Sequence, residues 1–190
     1  MPSVASAIRT WAISSYEGFP VRVLEESQIH STLLFYPSVS DEKREWMIEM
    51  VHKVEWEPME ATTGETERMG RGALALDLVL SDHDAKKLDD RLVRSCVYGP
   101  EYDYRDYRHE PLGKLALALS EAEWEPRRRN HRHRRQLRLH TTFARVKKHT
   151  DLSVPLYPFG PIPVRLSKLA LYESNLGPGG SRYEIIAESS

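Results

Sequence analysis

The 190-residue chain reads as an α+β protein. Short runs at 29–36, 73–80 and 136–146 alternate apolar and polar residues, as half-buried strands do. Segments opened by Ser40 and Ser81 have helix-starting caps. Two further apolar-alternating runs near the end flank a turn of Gly177, Pro178, Gly179 and Gly180.

The elements follow in order. Ser3 to Tyr16 is expected to be a short helix stopped by Gly18, Phe19 and Pro20, with Trp11-Ala12-Ile13 the one strand-like stretch there. Strands are expected over Val21–Leu24 and Ile29–Tyr36, the second broken after Pro37. Ser40 caps a helix from Asp41 to about Lys53 that buries Trp46, Met47 and Met50. A charged stretch with Thr and Gly leads to the strand Ala73–Leu80. Ser81 then caps a helix running to about Cys96. Tyr98–Pro111 is a polar aromatic loop, and the Leu/Ala alternation of Gly113–Leu119 leaves strand and helix both open. Gln136–Val146 is a strand, and Val164–Tyr172 with Ser181–Ala187 forms a hairpin. Strand, strand, helix, strand recurs loosely, without a sequence repeat that establishes duplication.

The length suits one domain or two closely packed lobes with a core needing no staples. No apolar run approaches membrane-spanning length. A single cysteine, Cys96, precludes an internal disulfide, fits a reducing compartment, and reads as a small buried hydrophobe rather than a nucleophile. The first 16 residues lack acids and make a poor secretory signal, so a cytoplasmic location is expected. A net charge of −1 conceals segregation. Glutamates 55, 57, 60, 65 and 67 cluster in one stretch, and Glu101, Asp103, Asp106 and Glu110 alternate with Tyr102, Tyr104 and Tyr107 in another. Against them stands the basic run Arg127–Arg135, read as an insertion loop that either tracks RNA phosphates or is simply solvated.

Two matching tetrapeptides carry the chemistry. His30-Ser31-Thr32-Leu33 and His140-Thr141-Thr142-Phe143 each lie in a strand-like run. Residues two apart in a strand share a face, so His30 accompanies Thr32 and His140 accompanies Thr142. The intervening side chains back them, with Ile29, Leu33 and Phe35 in one run and Leu137, Leu139 and Phe143 in the other. Chance supplies only about 0.3 His-x-Thr matches at this composition, so two in such contexts are more than accident. An imidazole and a hydroxyl on each of two strands suit acid/base cleavage of a phosphodiester. The bland alternative is two half-buried histidines on amphipathic strands.

With HSTL preceded by VRVLEESQI, with HTTFAR, and with the closing LALYESNLGPGGSRYEII, the chain resembles the two-histidine phosphoesterases, within them the RNA 2′,3′-cyclic phosphodiesterases or 2′-5′ RNA ligases. The resemblance covers most of the chain after about Val21. It implies two α+β lobes related by a pseudo-twofold axis, each an antiparallel sheet backed by helices, with one motif per lobe facing a central cleft. It also implies a further N-terminal strand for which this sequence offers only Trp11–Ile13. Residues 1–190 would then form one bilobal domain. His30 and His140 would be the catalytic pair, His30 the acid and His140 the base by resemblance, an order the residues themselves leave open. Thr32, Thr142 and Arg145 would bind the substrate phosphate. Strict alternation sets Arg145 opposite His140, so a bulge or the strand's end must return it to that face; Arg138 is the substitute.

The expected activity is hydrolysis of a 2′,3′-cyclic phosphate end of RNA or a nucleotide to a 2′-phosphate, with 2′-5′ ligation in reverse. No metal or other cofactor is called for, and the His131/His133 spacing alone does not make a metal site. The expected partner is cyclic-ended RNA or a cyclic nucleotide, the expected state a monomer away from membranes. Two rival readings are a non-catalytic module gripping RNA ends and an enzyme for small cyclic nucleotides. Trp46, Trp56 and Trp124 read as packing residues, whereas Tyr102, Tyr104 and Tyr107 are either base-stacking or merely exposed.

Overall fold

Ser3 starts the first element by accepting a hydrogen bond from the Ser6 amide at 3.0 Å, which opens helix α1 (Val4–Ser15). The structure is a computed structural model describing residues 3–36, 38–70, 72–92, 110–123, 139–147, 153–177 and 180–190. Expectations for Cys96, the tyrosines at 102, 104 and 107, Trp124, the basic run 127–135, Leu137 and Arg138 fall outside those residues. Among the described residues no helix is long and apolar enough to cross a membrane.

The chain divides into two compact units. The first comprises Met1–Leu33, Glu60–Val79 and Arg138–Arg165. Its five-stranded sheet has the order β1-β4-β3-β2-β5, from β1 (Val21–Val23), β2 (Met59–Met69), β3 (Ala73–Leu80), β4 (Leu139–Val146) and β5 (Pro163–Leu166). Both β1 and β3 run antiparallel to β4. Helix α1 covers one face. Ile8, Ala12 and Tyr16 pack with Leu74, Leu76, Phe143, Ala144 and Val154. Trp11 sits edge-on to Phe143 at 5.1 Å and to Phe159 at 4.9 Å, geometry that aromatic quadrupoles favour. Trp11–Ile13 is thus helix rather than strand, because its neighbours Ile8 and Ala12 need one helical stripe to meet the sheet.

The second unit comprises Leu34–Met59, Leu80–Leu137 and Leu166–Ser190. It holds α2 (Asp41–His52), α3 (Asp82–Arg91), α4 (Pro111–Glu123) and a hairpin of β6 (Ala170–Gly177) and β7 (Gly180–Glu188). Ser40 and Ser81 cap α2 and α3 by accepting from Lys43 and Asp84 amides at 3.3 and 3.1 Å. Helix α2 buries Met47, Met50 and Val51 and packs against α4 and the hairpin, while Trp46 is only half-buried. Tyr36 donates its hydroxyl to the Leu115 carbonyl, and burial pushes its phenol up to about 12. Buried Arg91 is compensated by the Glu55 carbonyl at 2.9 Å and Glu110 at 3.4 Å.

Three expectations need correcting. Residues 29–36 are not a regular strand: a 3-10 turn, Glu26–Gln28, delivers the chain to one isolated bridge at Ser31, after which it leaves the sheet. Phe35, expected in a core, is 63% exposed as a result. The charged stretch before Ala73 contains strand β2, whose inward face carries Met59, Ala61 and Thr63. Its period-two signal is faint because Thr63 is polar; the Thr63 hydroxyl accepts from the Ile162 amide and donates to the Gly160 carbonyl. Finally, 164 belongs to β5 in the first sheet, so the hairpin starts only at Ala170. The Leu/Ala stretch left open is helix α4.

The contrast between buried and exposed positions of β3 gives a direct check. Leu76→Ala, at a fully buried position, should cost about 2–5 kcal/mol, whereas Val79→Ala, 57% exposed, should stay within about 0.5 kcal/mol in urea unfolding.

Candidate active site

Strand β4 alternates cleanly through the second motif. Leu139, Thr141 and Phe143 are buried, while His140 and Thr142 are half-buried on the other face. The first motif meets this strand through one antiparallel bridge, Ser31 opposite Thr141. The two tetrapeptides thus lie in the same unit, side by side on neighbouring segments. Antiparallel pairing about that bridge sets His30 beside Thr142 and Thr32 beside His140. In the regular strand β4, His140 and Thr142 share a face, and the bridge sets the first motif alongside them.

Its ring and its carbonyl both tie His30 in place. Its Nδ1 lies 3.0 Å from the Gln28 carbonyl, which can only accept, so the neutral ring carries its proton on Nδ1 and presents Nε2 for proton transfer. Thr141 donates its hydroxyl to the His30 carbonyl at 3.0 Å. That tie joins the motifs through the middle residue of one of them, which sequence reading passed over. A hydroxyl at a core-facing strand position requires a partner, and this was the available signal. Ser31, its counterpart across the bridge, keeps a buried Oγ with no hydrogen-bond partner among the described residues. Burial lowers the His30 pKa from 6.5, partly offset by the bond to Gln28, and so favours the neutral ring.

A bulge places Arg145. Across β3, Asp77 faces His140 and Ala75 faces Thr142, but Leu74 faces Ala144 and Ala73 faces Arg145, leaving Phe143 as the extra residue. The shift reverses the phase of β4, and exposed Arg145 shares the face of His140 and Thr142. Thr32 is exposed as well. Asp77, also unremarked in the sequence, interrupts the apolar run of β3 directly opposite His140. Gly64 lies beside it: a Cβ there would come within 3.1 Å of the Asp77 Cβ, so the adjoining strand leaves this carboxylate room. Among the described residues no cluster of three or more His, Cys, Asp or Glu is arranged to hold a metal ion.

No protein-family model and no curated protein sequence matches the chain. Solved structures do. TT0787 of Thermus thermophilus superposes with a TM-score of 0.60 at 20% identity, over 97% of this chain and 90% of that one. A phosphoesterase follows at 0.58 and 15% identity, over 99% and 92%. LigT of E. coli, solved with 3′-AMP, gives 0.54 at 18% identity, over 99% and 92%. The chain has the LigT-like fold. Of the elements that fold implied, the five-stranded sheet is antiparallel at both edges of β4, and a helix backs it.

Two outcomes follow. Ser31→Ala should leave stability unchanged or raise it by about 1 kcal/mol, whereas Thr141→Val should lower it by about 1 kcal/mol, read from urea midpoints. The unfolded chain protonates His30 at a higher pH than the folded protein does, so this contribution is complete above about pH 6.5 and is lost as pH falls through the depressed value. The urea midpoint of His30→Gln should accordingly drop less between pH 7 and pH 5 than that of the wild type.

Proposed function

We propose that this chain is a phosphodiesterase that hydrolyses 2′,3′-cyclic phosphate ends of RNA or nucleotides to 2′-phosphates by paired histidine acid/base catalysis. The observation that carries the reading is the bridge between Ser31 and Thr141, which sets the two motifs on neighbouring segments. Fold likeness to a phosphoesterase and to LigT supports the same class of chemistry.

In the reaction a water oxygen attacks phosphorus, the bond from phosphorus to O3′ breaks, and the 2′-phosphate remains. One imidazole takes the water proton while the other protonates O3′. Diagonal placement suits this division, since attacking and departing oxygens lie on opposite sides of phosphorus. Burial favours the neutral form of His30, the form a general base requires. That direction suits His30 to the base, whereas the resemblance makes His30 the acid and His140 the base, and the leaving-group test below decides between the two orders. Thr32 and Thr142 donate to the non-bridging oxygens as their charge grows, and Arg145 adds a guanidinium from the same face. Both proton transfers are supplied by the protein, so the scheme calls for no metal. Run backwards with a 5′-hydroxyl in place of water, it joins ends through a 2′-5′ linkage.

The test is turnover of a 2′,3′-cyclic nucleotide and a cyclic-ended oligonucleotide in EDTA, with chromatographic identification of the 2′-phosphate. His30→Ala and His140→Ala should each lower kcat about 10²–10⁴-fold. A p-nitrophenyl phosphodiester, whose leaving group needs no proton, should restore the variant that lacks the acid more than the one that lacks the base: His30→Ala in the order the resemblance implies, His140→Ala in the reverse order. Turnover of neither cyclic substrate, with phosphate-ended RNA still bound, would make the chain a binding module. Turnover of the mononucleotide alone would make it a small-molecule enzyme.

A further inference from the structure

Helix α1 has one charged side chain, Arg9, and it reaches the segment that presents His30. That segment leaves the sheet before the motif. Leu24 donates its amide to the Phe143 carbonyl at 2.8 Å, and the next pairing with β4 is the bridge at Ser31. Between them lies the 3-10 turn Glu26–Gln28, which has no side-chain cap. The Gln28 amide closes it on the Glu25 carbonyl at 2.9 Å, and the Ile29 amide on the Glu26 carbonyl at 3.1 Å. Both glutamates are held from α1. Arg9 Nη2 lies 2.9 Å from Glu25 Oε2, and Ser3 donates its hydroxyl to Glu26 while it caps the helix. The Gln28 carbonyl at the end of this turn is the one that accepts from the His30 ring.

Arg9 is placed at some expense to the fold. Its side chain is 36% exposed against 72% for Glu25, and its buried Nε has no hydrogen-bond partner among the described residues. A desolvated donor left unpaired is destabilising, and an ion pair to so exposed a carboxylate returns little. Stability alone therefore does not account for the contact. Geometry does. Ile8, the preceding residue, is 2% exposed and sits in the core under the sheet, so Arg9 refers Glu25 to the most rigid part of this unit. Fixing Glu25 fixes the carbonyl that closes the turn.

We propose that Arg9 is a positioning residue for His30: by holding Glu25 it keeps the turn in the shape that brings the Gln28 carbonyl to Nδ1 and leaves Nε2 for proton transfer. The inference rests on the reading of His30 as one of the acid/base pair. It applies in either order, because Nε2 faces the substrate whether His30 gives or takes the proton.

The experiment reads the ring directly, by long-range proton–nitrogen correlation of the imidazoles at about pH 7.5, where an ordinary histidine is mostly neutral. The His30 signals are those lost in His30→Gln. In the wild type Nδ1 should be the protonated nitrogen and Nε2 the bare one. Arg9→Met, which keeps an apolar stem, and Glu25→Ala should each move both signals toward the average of two tautomers. Each should lower kcat for a 2′,3′-cyclic nucleotide about fivefold, roughly the most that a partly exposed ion pair can shift a conformational equilibrium, with KM little altered. Arg9→Lys should keep most of kcat, and exchanging the charges, Arg9→Glu with Glu25→Arg, should restore signals and kcat together. Urea midpoints should match the wild type. Unchanged nitrogen signals in Arg9→Met would overturn the proposal whatever its kcat, and so would a lowered midpoint that the charge exchange leaves low, which assigns Arg9 to the fold. Should Arg9→Met not fold, Glu25→Ala decides by the same signals. Should the wild type hydrolyse no cyclic nucleotide, the hydrolase reading fails alone, and the nitrogen signals still decide the role of Arg9.

Discussion

Strand β4 is the constraint on which the candidate site depends. It is paired on both sides, with β3 along one edge and with β1 and the Ser31 bridge along the other. Its inward residues Leu139, Thr141 and Phe143 are buried, and Phe143 meets Trp11 and Tyr16 of the covering helix. A one-residue slip would send Phe143 to the outer face and His140 inward, so burial of one face specifies the direction of the other. The positions of His140 and Thr142 are thus determined by what lies behind them.

The first motif has a different physical basis. It gains little from a ladder, since one bridge replaces a strand. Side chain-to-backbone contacts hold it instead: Thr141 grips the His30 carbonyl, and the Gln28 carbonyl holds the His30 ring. The 3-10 turn at Glu26–Gln28 supplies that carbonyl, so an irregular segment orients the ring more closely than strand geometry alone would. The bulge at Phe143 acts similarly for Arg145: an irregularity in pairing re-aims a side chain by one strand phase.

Electrostatics on this face are asymmetric. Asp77 stands against His140 at one end, and Arg22 and Arg145 stand opposed at the other, with the paired threonines and imidazoles between them. The absence of a side chain at Gly64 leaves room beside Asp77.

Much of this was legible in the residues. Ser3, Ser40 and Ser81 announce three helix starts because a capping hydroxyl acts within three residues of itself. The alternation of 139–143 exposes the outward pair His140 and Thr142 for the same local reason. Polar β2 was not legible, since its strand character comes from the partners on either side. Nor were the bridge joining segments 110 residues apart, the bulge under Arg145, Asp77 opposite His140, or Arg22 opposite Arg145. Sequence by itself determined which chemical groups each short segment offers and on which side, because caps and period-two burial are local. The tertiary structure decided which segments meet and in what register, because those are set by long-range pairing and by packing beneath α1 that no single segment encodes.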